Sequence, residues 1–91
     1  MAVRKQMVKG YKVGEVAEYD ARFHVAAIKV DVKLRVGDRI QLIGPLTDFI
    51  QIVESMELGK QDVQEAGASK KVHIPVEGPV RAGDAVVLLP S

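Results

Sequence analysis

The stretch Leu34–Gly44, reading Leu-Arg-Val-Gly-Asp-Arg-Ile-Gln-Leu-Ile-Gly, constrains the fold more than any other part of the chain. An apolar approach meets Gly37-Asp38, and a short apolar segment leaves it. Glycine takes positive φ without steric cost, and an aspartate side chain accepts hydrogen bonds from nearby backbone, so the pair suits a tight reversal. The same arrangement returns 46 positions later as Val80-Arg81-Ala82-Gly83-Asp84-Ala85-Val86. A breaker follows each copy, Gly44-Pro45 after the first and Pro90 after the second. Two such reversals in so short a chain predict meandering antiparallel strands folded into a barrel or sandwich.

The residue types agree. Fifteen Val and six Ile stand against six Leu, and β-branched side chains, stiff at χ1, pack well on a pleated surface. Ninety-one residues suit one small domain with a single core. The expected architecture is all-β: a small six-stranded antiparallel β-barrel, closed or nearly closed, over residues 11–91, with at most one short helical turn. The chain has no cysteine, which excludes disulfides and thiolate metal sites. Its longest apolar run, Ala85–Leu89, falls far short of the roughly 20 residues of a membrane helix. The first ten residues hold no apolar leader core. A cytoplasmic protein without a membrane partner is expected.

Formal net charge is only +1, which argues against a broadly basic nucleic-acid binder. The charge is unevenly placed, because Arg4, Lys5, Lys9 and Lys12 stand near the start with no acid among them. Residues 1–10 read as a basic arm able to meet phosphate; a solvated terminus is the plainer account of the same charges.

A first strand is expected at Tyr11–Tyr19, where Gly14 marks a bulge or a close backbone approach. The second, Phe23–Val32, alternates most clearly. From Lys29 onward it has one dry and one charged face. Arg39–Ile43 and Phe49–Leu58 follow, the latter needing a bulge near Val53-Glu54 if Ile50, Val53 and Met56 all point inward. Gly59–Lys70 reads as a long polar loop in which Val63 and Ala66 pin a single helical turn. Pro75 cannot donate to a ladder and places the Val72–Val76 strand at an edge or bulge. Ala85–Leu89 ends the sheet.

The chemistry of several enzyme classes is missing. A phosphate-cradling loop needs Gly, four residues, then Gly-Lys-Ser/Thr. Gly59-Lys60 has Glu54 at the first glycine position and Gln61 at the hydroxyl position, so no nucleotide triphosphate site of that kind is expected. Gly67-Ala68-Ser69-Lys70-Lys71 lacks the second glycine of a nucleophile elbow. His24 and His73 fall on separate expected strands with no paired carboxylates beside them, which gives a metal site no support. Glu15/Glu18 and Asp62/Glu65 read as solvated faces. No catalytic residue, metal or cofactor is assigned.

The order of motifs carries a resemblance. Val13-Gly14-Glu15-Val16, the alternating Ile28/Val30 strand, Leu34–Ile40 with Gly44-Pro45, Phe49–Glu57 with Glu54-Ser55-Met56, Val63–Gly67, and the closing Pro79–Asp84 together resemble the β-barrel second domain of translational GTPases of the elongation factor Tu family. Similar barrels also stand alone as translation-factor-like small proteins and are appended to some collagenase-like peptidases. The resemblance implies that Gly14, Gly37, Asp38, Gly44, Pro45, Gly83 and Asp84 are kept for backbone turns. It also implies a non-catalytic module that binds RNA or the ribosome. Arg4, Lys5, Lys9, Lys12, Lys70 and Lys71 are then the candidate nucleic-acid contacts. A protein-interaction or self-association module, with a peptidase or translation factor as a partner, is the alternative expectation.

Overall fold

The computed structural model describes residues 10–90. Of the expected basic arm, Arg4, Lys5 and Lys9 lie outside the described residues. Ten strands are described: β1 (Tyr11–Asp20), β2 (Val25–Val30), β3 (Lys33–Arg35), β4 (Arg39–Gly44), β5 (Thr47–Ile52), β6 (Glu57–Leu58), β7 (Gln61–Asp62), β8 (Glu65–Gly67), β9 (Lys71–Pro75) and β10 (Ala85–Leu88). Eight form one antiparallel sheet in the order β5-β4-β10-β1-β2-β9-β6-β7, and β3 pairs with β8 in a second sheet of two strands. The fold is all-β, with no helix among the described residues.

Both reversals are built by one hydrogen-bond frame. In the first, the Asp38 N–H donates to the Arg35 carbonyl at 3.1 Å, and the Asp38 carboxylate accepts the Arg35 N–H at 2.9 Å. In the second, Asp84 N–H donates to the Arg81 carbonyl at 3.0 Å, and the Asp84 carboxylate accepts the Arg81 N–H at 2.8 Å. Gly37 and Gly83 have φ of +97° and +95°. Each reversal then clasps one valine from elsewhere in the chain. Gly37 N–H and Asp38 C=O bond to the carbonyl and N–H of Val53, and Gly83 and Asp84 bond in the same way to Val16. A Cβ at Gly37 or Gly83 would meet no atom within 4 Å, so the backbone conformation alone penalises substitution. Gly37→Ala and Gly83→Ala should therefore each lower unfolding free energy by about 1–2 kcal/mol, and by similar amounts, in urea denaturation.

The clasps explain why a closed barrel does not form. Both backbone groups of Val53 are taken by the first reversal, so β5 stops at Ile52 and the chain leaves β4. The expected Phe49–Leu58 strand is thereby split. Residues 53–56 cross to the far side, where β6 joins β9 through a single register pair, Glu57 with His73. The sheet stays open, with β5 and β7 as its outer strands. Near the gap, the Gln51 amide stands in for ladder bonds: Nε2 donates to the Pro75 carbonyl at 2.9 Å and Oε1 accepts the Glu77 N–H at 2.8 Å.

Other expectations need correction on the same grounds. Pro75 ends β9 and pairs only with Val25 of β2, so its own position has one side free of the ladder as expected, although β9 as a whole lies between β2 and β6 and is not an outer strand. Gly59–Lys70 carries β7 and β8 in place of a helical turn, and Ala66 is buried through β3–β8 pairing. On β5, Gln51 is buried and Ile50 is exposed, so the inward phase runs through Gln51 to Val53 and not through Ile50.

β1 owes its inward pair Val13 and Val16 to register shifts at Lys12/Gly14 and Val16/Glu18. Gly14 is needed where it stands, since a Cβ would lie 2.8 Å from the Lys29 carbonyl oxygen. The core gathers Val13, Val16, Ile28, Val30, Ile40, Leu42, Val72, Ile74 and Val86 from the large sheet and Leu34 and Ala66 from the small one.

Candidate functional site

The β1–β2 hairpin ends in a loop shaped by local bonds. The Asp20 carboxylate accepts the Arg22 N–H at 3.0 Å, and its Oδ1 lies 3.6 Å from the Arg22 guanidinium. Desolvation at the turn raises the Asp20 carboxyl, but the Arg22 N–H, the Arg22 guanidinium and the Phe23 backbone together outweigh it. The group therefore titrates below the ordinary carboxylate value. His24, at φ 55°, takes the left-handed conformation that turns the chain into β2, and its carbonyl accepts the Val76 N–H at 2.9 Å. His24 and Phe23 thus belong to the loop and not to the second strand. Phe23 is left 67% exposed, with the Arg22 guanidinium 5.1 Å from its ring centre.

Below this loop lies a groove of about 660 Å³, lined by Glu18, Tyr19, Asp20, Phe23, Val25, Ala27, Glu57 and His73 among others. Strand pairing lays out its floor. Glu18 faces Ala27, Ala27 faces His73, His73 faces Glu57, and Glu57 faces Asp62. Directly opposed residues in antiparallel strands project from the same face, so these five form one row across β1, β2, β9, β6 and β7. Ala27 is the small member, and the flanking longer side chains make the row concave above it. A smaller hollow of about 210 Å³ continues the site along Val25, Ser55, Glu57, Asp62, His73 and Pro75.

The row offers carboxylates and one imidazole beside an exposed aromatic. Among the described residues, no group of three or more His, Asp or Glu is placed to hold a metal ion. Such a surface can bind a polar, extended molecule with apolar side groups.

The candidate nucleic-acid contacts are not brought together here. Lys12 bonds Glu15 at 3.2 Å on β1, Lys70 precedes β9, and Lys71 faces Lys29 at the end of β9 away from the groove. Sequence reading missed the groove because its members come from five strands. The one available signal was His73 in a strand whose partners could not be assigned from a single chain.

The fold and site define a small all-β domain with a grooved outer face. The profile of the Peptidase family U32 C-terminal domain matches residues 10–86, and the chain belongs to that family. It is 33% identical over 79 residues to the uncharacterized protease MJ0090 of Methanocaldococcus jannaschii, covering 86% of this chain and 19% of that protein. It is 35% identical over 74 residues to a collagenase of Porphyromonas gingivalis, covering 79% of this chain and 20% of that one. The chain thus spans about one-fifth of the length of these relatives. Its fold is shared with the C-terminal domain of a protein described as a U32 peptidase from Geobacillus thermoleovorans. That crystal structure superposes with a TM-score of 0.82 at 20% identity, over 90% of this chain and 94% of the other. The selenomethionine form of the same domain gives 0.79 at 22% identity, over 82% and 95%.

These findings overturn the resemblance to translational GTPases. The RNA- and ribosome-binding reading of the chain, and its placement in translation, fall with it. The shared motifs answer a demand of the backbone. A Gly-Asp reversal that clasps a valine serves any curled antiparallel sheet, so it marks geometry more than ancestry. Among the described residues, no helix is long and apolar enough to cross a membrane.

Proposed function

We propose that residues 11–91 form a single non-catalytic domain that holds polypeptide for a U32-type peptidase, in a cytoplasmic setting. The observation that carries this reading is the groove over Ala27, with the exposed Phe23 ring on its wall and hydrogen-bonding side chains along its floor. An extended chain suits it: side groups spaced at alternate residues can reach both the aromatic wall and the polar row. The relatives' names, protease and collagenase, support polypeptide as the ligand class.

The test is retention of gelatin by the immobilised chain. Ala27→Gln, which fills the floor, and Phe23→Ala, which removes the wall, should each weaken retention about tenfold, and the exposed Phe23 should do so with little change in melting temperature. The wild-type chain alone should leave the gelatin uncut. Variants that retain gelatin as the wild type does would remove the groove from this role.

A further inference from the structure

We infer that the groove selects a cationic side chain, arginine above all, placed over Ala27 between Glu18 and Glu57. The inference rests on the polypeptide-binding reading and adds the charge that the polypeptide must carry. The groove and its row hold four carboxylates, Glu18, Asp20, Glu57 and Asp62, against one guanidinium and one imidazole. The guanidinium is already committed: Arg22 stands beside Asp20 and over the Phe23 ring. Neither the Glu18 nor the Glu57 side chain makes a hydrogen bond or ion pair among the described residues, and both line the groove with Ala27 and His73.

The loop itself shows how this surface receives a guanidinium. Arg22 lies beside one carboxylate, at 3.6 Å, while its guanidinium carbon is 5.1 Å from an aromatic ring centre. An incoming arginine over Ala27 would find the same two partners, a carboxylate at Glu18 or Glu57 and the exposed Phe23 ring. The small floor residue is what makes this possible. Its methyl group is short beside the Glu18 and His73 side chains opposite it on β1 and β9, so a planar cation can rest on the outer face of the sheet above it. Alkyl stems of arginine would lie along Val25 while the charged head reaches the carboxylates.

The probes are three blocked heptapeptides that differ only at a central residue flanked by two phenylalanines: arginine, its neutral isostere citrulline, or glutamate. Binding is read from amide ¹⁵N–¹H shifts of the whole chain. The arginine peptide should bind about fivefold more tightly than the citrulline peptide, as expected for two partly exposed carboxylates. The glutamate peptide should bind most weakly. The preference should shrink to below about twofold in Glu18→Gln/Glu57→Gln and at high salt, with the largest shifts at Glu18, Ala27, Glu57 and His73. Equal affinities for arginine and citrulline peptides at the groove would overturn the charge selection and leave the polypeptide reading standing. Shifts confined to other surfaces, or none with any peptide, would overturn both.

Discussion

Asp84→Ala should lower the unfolding free energy by about 3 kcal/mol, roughly three times the cost of Asp38→Ala, although the two aspartates occupy equivalent places in equivalent turns. The difference lies in what surrounds them. Asp84 is 2% exposed, and one of its oxygens accepts both the Arg81 N–H and the Thr47 hydroxyl, the latter at 2.5 Å. Thr47 is itself buried, so truncating Asp84 strands its hydroxyl away from water and removes the acceptor of the Arg81 N–H. Asp38 is only half-buried, and its carboxylate accepts one bond, from the Arg35 N–H. Hydrogen bonds to a charged acceptor contribute about 1.5–3 kcal/mol, and an orphaned buried partner adds its own desolvation penalty. Gly44 belongs to the same unit, because a Cβ there would run into the Asp84 carboxylate. Gly44→Ala should cost at least as much as Gly83→Ala, despite its ordinary φ. Urea midpoints for the four variants decide the matter, and equal losses for Asp84→Ala and Asp38→Ala would refute the burial account.

Gln51→Leu should destabilise by about 2–3 kcal/mol while keeping the side-chain volume nearly constant. Gln51 is 5% exposed and sits on the inner face of the outermost strand, where an apolar residue would ordinarily be favoured. Its value is in the two bonds it makes across the gap, to the Pro75 carbonyl and the Glu77 N–H. Leucine would leave both backbone groups without partners, and Phe49, whose ring faces Gly78 nearby, supplies no donor or acceptor in exchange. Hydrogen exchange gives the sharper readout. The Glu77 amide should lose protection far more than the Ile28 or Leu42 amides, because the gap would open locally before the whole sheet unfolds. A variant as stable as the wild type would show that packing alone holds the gap.

Strand content was legible in the chain because it depends on short-range pattern. The alternation of Ile28 and Val30 with Lys29 reads directly as one buried and one wet face, and the structure has those residues buried and exposed accordingly. Pairing between distant strands was not legible. Whether β5 and β6 close on each other depends on where Val53 sends its backbone bonds, and nothing in Phe49–Leu58 announces that Gly37 and Asp38 will take them. The same limit hid the groove. Glu18, Ala27, His73, Glu57 and Asp62 become neighbours only through four separate register choices, two of them downstream of a β1 bulge or a broken strand. The basic residues near the start of the chain are, by contrast, plain in the sequence, but the RNA reading came with the resemblance to translational GTPases, which rested on turn motifs.

The two clasps are reciprocal. A reversal from the first half of the chain grips Val53 in the second, and a reversal from the second half grips Val16 in the first. Neither half can therefore mature on its own, since each lacks the partner that finishes its sheet. Such mutual dependence makes the transition between folded and unfolded chain sharp, and it ties folding speed to the slow meeting of segments far apart in sequence.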